Sequence, residues 1–386
     1  MKKSNLAFIA ACFGMFLFGI AMLSLGTINT FLVDKFQLGK LSAGSLASLL
    51  PLGILIGSLF FGAIVDRFGY KLLLIISSVL IIACIVLIVY AGSFPLIQAA
   101  FFFIGITGGM INGATNALAA DVSAENKSSN LSLLGVFYGL GALSLPLITG
   151  LLTKHFSYQS VLLGTAIFLL LPVIYFMLIP FPPPKQQQGI PLKKVFSMFK
   201  DKVLILFAFV LFFQSAVEGI SNNWTTSYLK DIHGLADDKA LFSLTMLVVG
   251  MTIARLILTY VLKKIRPIRV FSLSCILIAI SLVLVQVSGS LAMIWVSYFL
   301  LGMGLASGFP VMLGYVGERY AKLSGIAFSF ALVIALLGNT LLNLLVGFVS
   351  RTWGIQHITT ILIASACLMF LLAIWAFNQN IKKPLK

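Results

Sequence analysis

Apolar residues along this chain of 386 residues occur in blocks, each long enough to cross a lipid bilayer as an α-helix. About 20 helical residues span roughly 30 Å of hydrocarbon, and charged or Pro/Gly-rich breaks separate one block from the next. The blocks predict twelve membrane-spanning helices, near residues 6–33, 42–64, 71–90, 94–120, 130–152, 160–179, 203–229, 240–262, 268–287, 291–317, 323–348 and 356–377.

The break at residues 180–202 is longer than the others and contains the run PFPPPKQQQGIPLKK. Its first half has neither the apolar length nor the helical period of a span. We therefore predict a cytoplasmic linker at 180–202. It would join an N-terminal six-helix bundle at 1–179 to a C-terminal six-helix bundle at 203–386, which ends in a short cytoplasmic tail.

An internal repeat relates the two predicted bundles. An offset of 197 residues superposes five pairs of glycines and two pairs of acidic residues at helix ends: Gly53 with Gly250, Gly92 with Gly289, Gly105 with Gly302, Gly141 with Gly338, Gly150 with Gly347, Asp34 with Asp231 and Asp121 with Glu318. Parallel repeats of six helices build transporters that work by alternating access. The predicted fold class is an all-α membrane protein with twelve transmembrane helices in two pseudo-symmetric six-helix bundles.

The composition supports a membrane protein and excludes a soluble one. Hydrophobic residues make up 60% of the chain, charged residues make up 9%, and the mean hydropathy is +1.10. The net charge of +16 comes from Lys and Arg in the short segments between the blocks, with 19 on the side of the termini and six on the other. This bias predicts an integral multi-pass protein of a bacterial inner membrane with both termini in the cytoplasm, and it is not a nucleic-acid-binding pattern.

A glycine-rich motif with charged residues lies between the second and third predicted helices. Its pattern is Gly62-x-x-x-Asp66-Arg67-x-Gly69-x-Lys71, and it resembles the loop motif of the major facilitator superfamily. Glycines allow a tight turn and close helix approach, while the Asp and Arg can pair at a cytoplasmic surface that opens and closes. Asp66, Arg67 and Lys71 are therefore candidates for gating, and a purely structural anchor is the alternative.

The seventh block carries polar residues at separations of one, three and four, on one side of a helix: Gln214, Ser215, Glu218, Ser221 and Asn222. A carboxylate in mid-membrane is unfavourable unless it faces a cavity, forms a pair or takes up a proton. Glu218 is therefore a candidate for solute binding and proton coupling, with Arg255 of the next block as its partner, or one half of a structural ion pair. Gly219 and the polar residues that follow it also favour a loosened helix at this point.

Short motifs in both halves resemble the fucose-permease and glucose-transporter-like branch of the superfamily. They are Glu218-x-x-x-x-x-Trp224-x-x-x-Tyr228 in the seventh helix, Gly109-x-x-Asn112-x-x-x-Asn116 in the fourth, and Tyr138-Gly-Leu-Gly141 with Pro146 in the fifth. The resemblance implies transport of hexoses or related polar solutes, often with protons. Aromatic rings that face the pore, such as Tyr138, Trp224 and Tyr228, can stack on the apolar face of a sugar, and of these the resemblance supports only Trp224 and Tyr228. Fucose permeases use carboxylates in the first and fourth helices, which this chain lacks at mid-span, so the coupling ion stays open.

Amide side chains are the second group of candidate solute contacts, because an amide both donates and accepts hydrogen bonds, as a polyhydroxylated ligand requires. Asn112 and Asn116 lie one turn apart in the fourth helix. Asn29 in the first helix and Asn339 in the eleventh are candidates on the same grounds. The alternative for each is a hydrogen bond between helices, and the ridge Gly105, Gly109 and Gly113 is predicted to serve close helix packing.

These features predict a secondary transporter that moves a small polar solute, most simply a sugar, with a proton as a possible partner. The alternatives are a proton-coupled exporter of amphipathic compounds and a membrane receptor that transports nothing. We expect a monomer in the lipid bilayer, and no enzyme: the sequence contains no catalytic triad, P-loop, metal cluster or cofactor motif.

Overall fold

The computed structural model of the protein describes residues 3–37, 40–123, 126–152, 155–186 and 192–382. The regular elements in these ranges are α-helices and two short 3-10 helices, at Ala321–Leu323 and Ile355–His357. The α-helices are α1 Lys3–Phe36, α2 Lys40–Phe68, α3 Tyr70–Tyr90, α4 Phe94–Val122, α5 Lys127–Leu152, α6 Tyr158–Phe168, α7 Leu170–Leu178, α8 Leu192–Phe199, α9 Lys202–His233, α10 Asp237–Lys264, α11 Pro267–Val287, α12 Leu291–Leu305, α13 Gly308–Arg319, α14 Ser324–Thr352 and α15 Ile358–Lys382.

The described helices form twelve spans that are long and apolar enough to cross a membrane, which confirms the predicted fold class. Helices α6 and α7 together make one span, as do α12 and α13. Helix α8 does not span a membrane. It falls in the second half of the predicted linker, where the sequence becomes amphipathic, with Val195 and Met198 buried and Phe196 exposed.

Both interrupted spans contain a proline just after the interruption. Proline lacks the backbone N–H that would bond to the carbonyl four residues earlier, and its ring crowds that carbonyl. Pro172 follows the interruption at Leu169, and Pro310 follows the one at residues 306–307. The sequence favoured a loosened helix at Gly219 instead, and that expectation was wrong, because α9 is continuous from Lys202 to His233.

The chain falls into two compact units. Unit 1 comprises Met1–Ala124, Leu134–Leu192 and Tyr320–Ser329, and unit 2 comprises Glu125–Leu133, Lys193–Arg319 and Phe330–Lys386. In unit 1, α4 packs against α1, α2 and α3; in unit 2, α12 packs against α10 and α11, and α9 packs against α15. The first turns of α14 thus belong to unit 1, and the first turns of α5 belong to unit 2.

Close backbone contacts within each unit follow the predicted repeat. In unit 1, Gly105 of α4 lies directly against the carbonyl oxygen of Leu50 in α2, where a side chain would not fit. In unit 2, Gly302 of α12 lies in the same way against the carbonyl oxygen of Leu247 in α10. Each residue of the second contact lies 197 positions after its counterpart in the first, so the glycine repeat marks equivalent close packing points.

Candidate functional site

Glu218 lies in the middle of α9, inside unit 2. Its Oε2 atom is buried and has no hydrogen-bond partner among the described residues. The positive charge of Arg255 in α10 acts on this carboxyl group, and a direct pair between the two side chains stays a prediction. The backbone carbonyl of Arg255 accepts hydrogen bonds from Ser132 Oγ at 2.7 Å and Thr259 Oγ1 at 2.9 Å, which fix this turn of α10. The site can therefore hold a carboxyl group away from lipid beside a cation.

Gln214, one turn before Glu218, lies at the break between α12 and α13. Its side chain is buried, and Nε2 donates a hydrogen bond of 2.9 Å to the carbonyl oxygen of Leu305, the last residue of α12. The same amide lies against Gly308, the first residue of α13, where a Cβ atom would overlap it. Gln214 thus occupies the interruption in the broken span, a role that its place in the polar stripe did not indicate.

Amide groups connect α9 to α14 within unit 2. Asn343 Oδ1 accepts hydrogen bonds of 3.1 Å from both Trp224 Nε1 and Asn223 Nδ2. Asn343 Nδ2 donates to Asn339 Oδ1 at 2.7 Å, and the Asn339 amide in turn packs directly on Gly219 of α9. The hydrogen bonds between the two helices are thus made by Asn343, whereas Asn339 bonds within α14 and packs on α9. These contacts also place Trp224 within the same network.

Asn222 and Tyr228 complete the predicted stripe of α9. Asn222 Nδ2 donates to the carbonyl oxygen of Glu218 at 2.9 Å, so this amide bonds to its own helix, and the side chain stays partly exposed. Tyr228 is buried, with its ring 5.8 Å from the ring of His233. The cavity next to Tyr228 measures about 10 Å³ and is lined by apolar side chains such as Leu282 and Leu362 together with hydroxyl-bearing ones such as Ser221. This space holds about one water molecule and no organic solute.

The candidate residues of unit 1 lie on α4 and α5. Asn116 is buried and donates through Nδ2 to the carbonyl oxygen of Asn112 at 2.8 Å and to its Oδ1 at 3.0 Å. Asn112 is partly exposed, so its side chain keeps a face for other partners. Tyr138 of α5 packs on Phe18, with 5.5 Å between the ring centroids. The side chain of Asn29 in α1 lies outside the described residues.

Asp66 of the glycine-rich motif is fully buried in unit 1, at the N-terminus of α14. Its Oδ1 and Oδ2 atoms accept hydrogen bonds from the backbone N–H groups of Gly325 at 3.3 Å and Ile326 at 3.1 Å. A carboxylate is favourable there because the free N–H groups and the helix dipole present positive charge. Arg67, the partner that the sequence suggested, is exposed instead, with its guanidinium 5.2 Å from the centre of the Phe68 ring.

The cation that acts on Asp66 is Lys185, from the predicted linker, which the sequence did not single out. Its Nζ atom lies 2.5 Å from Asp121 Oδ2 and donates to Ser324 Oγ and to the carbonyl oxygen of Ala321. Tyr70 Oη also donates to Asp121. Lys185 follows a proline run, and no sequence pattern distinguishes it from the other linker lysines.

Lys71, the last charged residue of the motif, has a different role. Its Nζ atom donates to the carbonyl oxygen of Met177 at 2.7 Å, in the last turn of α7, where helix carbonyls have no helical partner. The motif thus joins α2 and α3 to two other helices of unit 1: Asp66 bonds to α14 and Lys71 bonds to α7.

Two serine hydrogen bonds repeat the internal symmetry at the starts of α14 and α5. In unit 1, Ser329 Oγ donates to the carbonyl oxygen of Ser58 at 2.5 Å. In unit 2, Ser132 Oγ donates to the carbonyl oxygen of Arg255 at 2.7 Å. Each residue of the second pair is 197 positions from its counterpart in the first, and serine was not among the residues that the sequence repeat had marked.

Comparison with known proteins agrees with this architecture. The family model of the Major Facilitator Superfamily matches residues 10–338. The uncharacterized MFS-type transporter YfkL of Bacillus subtilis is 22% identical, over 77% of this chain and 77% of its own length. The multidrug resistance protein MdtG of Proteus mirabilis is 27% identical, over 48% of this chain and 47% of its own. A variant of the Escherichia coli fucose:proton symporter FucP has the same fold, with a TM-score of 0.80 at 19% identity, over 97% of this chain and 99% of that one. This chain therefore belongs to the Major Facilitator Superfamily.

Proposed function

We propose that this multi-pass membrane transporter carries a sugar or a related small polar solute by alternating access and couples that movement to protons. The observation that carries the proposal is the carboxyl group of Glu218, inside a membrane-spanning helix and under the influence of the Arg255 charge. Ionisable groups at this depth mark solute pathways and proton relays. A carboxyl group that changes between its charged and neutral forms as its surroundings change meets the requirement for coupling.

The structural likeness to a fucose:proton symporter supports the proposal at the level of the fold. The polar side chains support it at the level of chemistry. In unit 1 we assign solute contacts to Asn29, Asn112, Asn116 and Tyr138, and in unit 2 to Gln214, Glu218, Asn222, Trp224, Tyr228 and Asn339. Amides match hydroxyl groups as donors and acceptors, and aromatic rings stack on the apolar face of a sugar.

The structure divides these residues by exposure. Asn112, Asn222 and Trp224 are partly exposed and can reach a solute, whereas Gln214 and Tyr228 are buried. For the buried pair we propose an indirect contribution, in which Gln214 holds the interrupted span and Tyr228 fixes the outer part of α9. Loss of either would change the position of partly exposed neighbours such as Asn222.

We propose that Asp66, Arg67 and Lys71 control gating. Asp66 holds the first turn of α14 through two backbone hydrogen bonds, and Lys71 holds the last turn of α7. Arg67 is exposed, and its positive charge can act at long range on other charged groups. Hydrogen bonds to a carboxylate are strong enough to favour one conformational state of the transporter. Because Asp66 accepts only two from α14, they can break and re-form during a transport cycle.

Flux measurements in proteoliposomes test the proposal. With the full-length protein inserted and a pH gradient imposed, we expect hexose accumulation that a protonophore abolishes. Hexose accumulation that does not depend on the pH gradient would refute proton coupling. Hexose binding without flux would instead identify a receptor. The lysine distribution further predicts that both termini face the cytoplasm of a bacterial inner membrane, and we expect the transporter to act as a monomer.

Export of amphipathic compounds in exchange for protons is the second candidate function. The observation that favours it is the partial similarity to the multidrug resistance protein MdtG. A thermal-shift comparison of hexoses with lipophilic cations separates the two functions. Stabilisation by lipophilic cations alone would replace the sugar hypothesis with the exporter.

A further inference from the structure

A groove of about 470 Å³ lies on unit 2, where α8 ends, α9 begins and the last turns of α15 pass. The side chains that line it are mostly polar or basic: Ser197, Lys200, Asp201, Lys202, Trp375 and Gln379. Because α9 starts and α15 ends at this level, the groove lies at the boundary between the hydrocarbon and the water. It is separate from every solute or gating candidate described above.

The groove carries net positive charge. Lys200 and Lys202 are exposed, and neither forms a hydrogen bond or ion pair within the described part of the chain. Asp201, between them, is already committed: Oδ1 caps α9 by accepting from the backbone N–H of Val203 at 2.9 Å, and Oδ2 lies 3.4 Å from Nη2 of Arg319. The Arg319 charge compensates that of Asp201, so two lysine charges remain for an anionic ligand.

An apolar surface leads away from the groove along α15. Leu368, Leu371 and Trp375 follow one another at spacings of three and four, which places them on one face, and they are 46%, 61% and 54% exposed. Such a face meets acyl chains in a bilayer, and Trp is enriched where chains meet headgroups. Next to the groove, Phe196 of α8 is 63% exposed, which adds a second apolar contact at the same level.

We propose that this groove binds the headgroup of an anionic phospholipid, with Lys200 and Lys202 on its phosphate and the α15 face against its acyl chains. A free phosphate ion would contact the lysines alone. A phospholipid would also contact the adjoining apolar face of α15 and its exposed Trp375, so the combination of the two surfaces favours the lipid. The positive-inside distribution places the groove in the cytoplasmic leaflet, where basic pockets between helices bind anionic headgroups.

Native mass spectrometry of the full-length protein in detergent, titrated with phosphatidylglycerol or with phosphatidylcholine of the same acyl chains, tests this site. We expect phosphatidylglycerol to bind more tightly. The double variant Lys200→Gln/Lys202→Gln should bind phosphatidylglycerol about thirtyfold more weakly, about fivefold for each lysine near the headgroups. Lys200 and Lys202 are both exposed, so the double variant is expected to fold, and its melting temperature checks this.

The double variant Lys263→Gln/Lys264→Gln is the matched control, because it removes an equally exposed basic pair from the end of α10. It should leave phosphatidylglycerol binding unchanged. Trp375→Ala should weaken phosphatidylglycerol binding, and inorganic phosphate should fail to displace the lipid. Equal binding of the two lipids, equal losses in the two double variants, or displacement by inorganic phosphate would overturn the proposal.

Discussion

Replacing Asp66 with asparagine tests the bond between α2 and the first turn of α14. The carboxylate accepts one hydrogen bond on each oxygen, from Gly325 and Ile326, and the side chain is fully buried. Asparagine keeps the shape and one acceptor oxygen. It loses the charge, and its NH₂ group would face a backbone N–H donor, so one of the two bonds cannot form.

The size of the effect follows from these two bonds. A hydrogen bond to a charged group contributes about 1.5–3 kcal/mol, and one between neutral groups contributes about 1 kcal/mol. With one bond weakened and one lost, we expect the first turn of α14 to lose about 2 kcal/mol of its docking free energy, which is about thirtyfold in its opening equilibrium. The charge of Lys185, which acts on Asp66, is then less well compensated, and this adds to the loss.

Hydrogen exchange followed by mass spectrometry measures the opening directly. The peptide that contains Gly325 and Ile326 should lose about thirtyfold protection in Asp66→Asn, because its amides exchange through local opening. Asp201→Asn is the matched control, since Asp201 caps α9 through the N–H of Val203. It should affect the start of α9 and the surroundings of its ion-pair partner Arg319, and it should leave the exchange of Gly325 and Ile326 unchanged. Unchanged exchange at Gly325 and Ile326 in a folded Asp66→Asn protein, or a uniform change along the chain, would refute the reasoning.

Three other experiments test the proposed transport function and the topology. Glu218→Gln, which imitates the protonated carboxyl group, should still exchange solute down its gradient but should not accumulate it with a pH gradient; normal accumulation in proteoliposomes would exclude Glu218 as the proton carrier. Asn112→Ala should weaken solute binding by about 1–3 kcal/mol with little change in melting temperature, because polar groups of the solute lose their partner; a large fall in melting temperature at unchanged affinity would favour a purely structural amide. In a background without native cysteines, Gly189→Cys should react with impermeant reagents from the cytoplasmic side and Ala236→Cys from the opposite side, and labelling of both from one side would contradict the predicted topology.

The interrupted spans show where local sequence signals succeeded and where they failed. The positions of the spans followed from apolar length, because hydrocarbon requires it over every span. Polar and glycine residues near Gly219 suggested a break that α9 does not have. A break in the same half lies at residues 306–307 instead, where Pro310 prevents the helical hydrogen bond to Ala306, and Gln214 of α9 bonds to the adjoining carbonyl of Leu305. The helix is continuous at Gly219, which packs against the Asn339 amide of α14, a contact that no local pattern contains.

The candidate site was predictable in its residue types and not in its partners. The sequence associated Glu218 with Arg255, because an acid and a base in neighbouring spans have few other partners in hydrocarbon. The Arg255 charge acts on the Glu218 carboxyl group, and the pairing itself stays a prediction. It suggested Arg67 for Asp66, since the two are adjacent. The structure places Asp66 at the N-terminus of α14 and brings Lys185 to the same cluster, where it bonds to Asp121. Such choices depend on distances between segments that are more than sixty residues apart in the sequence.

The sequence by itself determined that the protein has twelve membrane-spanning helices, that its halves repeat, and which few polar side chains lie within the spans. Each of these is a one-dimensional property, set by apolar length, charge distribution and spacing. The tertiary structure decided which helix each polar group bonds to. In the structure Asp66 bonds to the first turn of α14, and Gln214 bonds to the carbonyl at the break after α12. Ser132 and Ser329 bond to equivalent carbonyls in their own units. A hydrogen bond requires donor and acceptor within about 3 Å, and only the packed fold brings such distant residues that close.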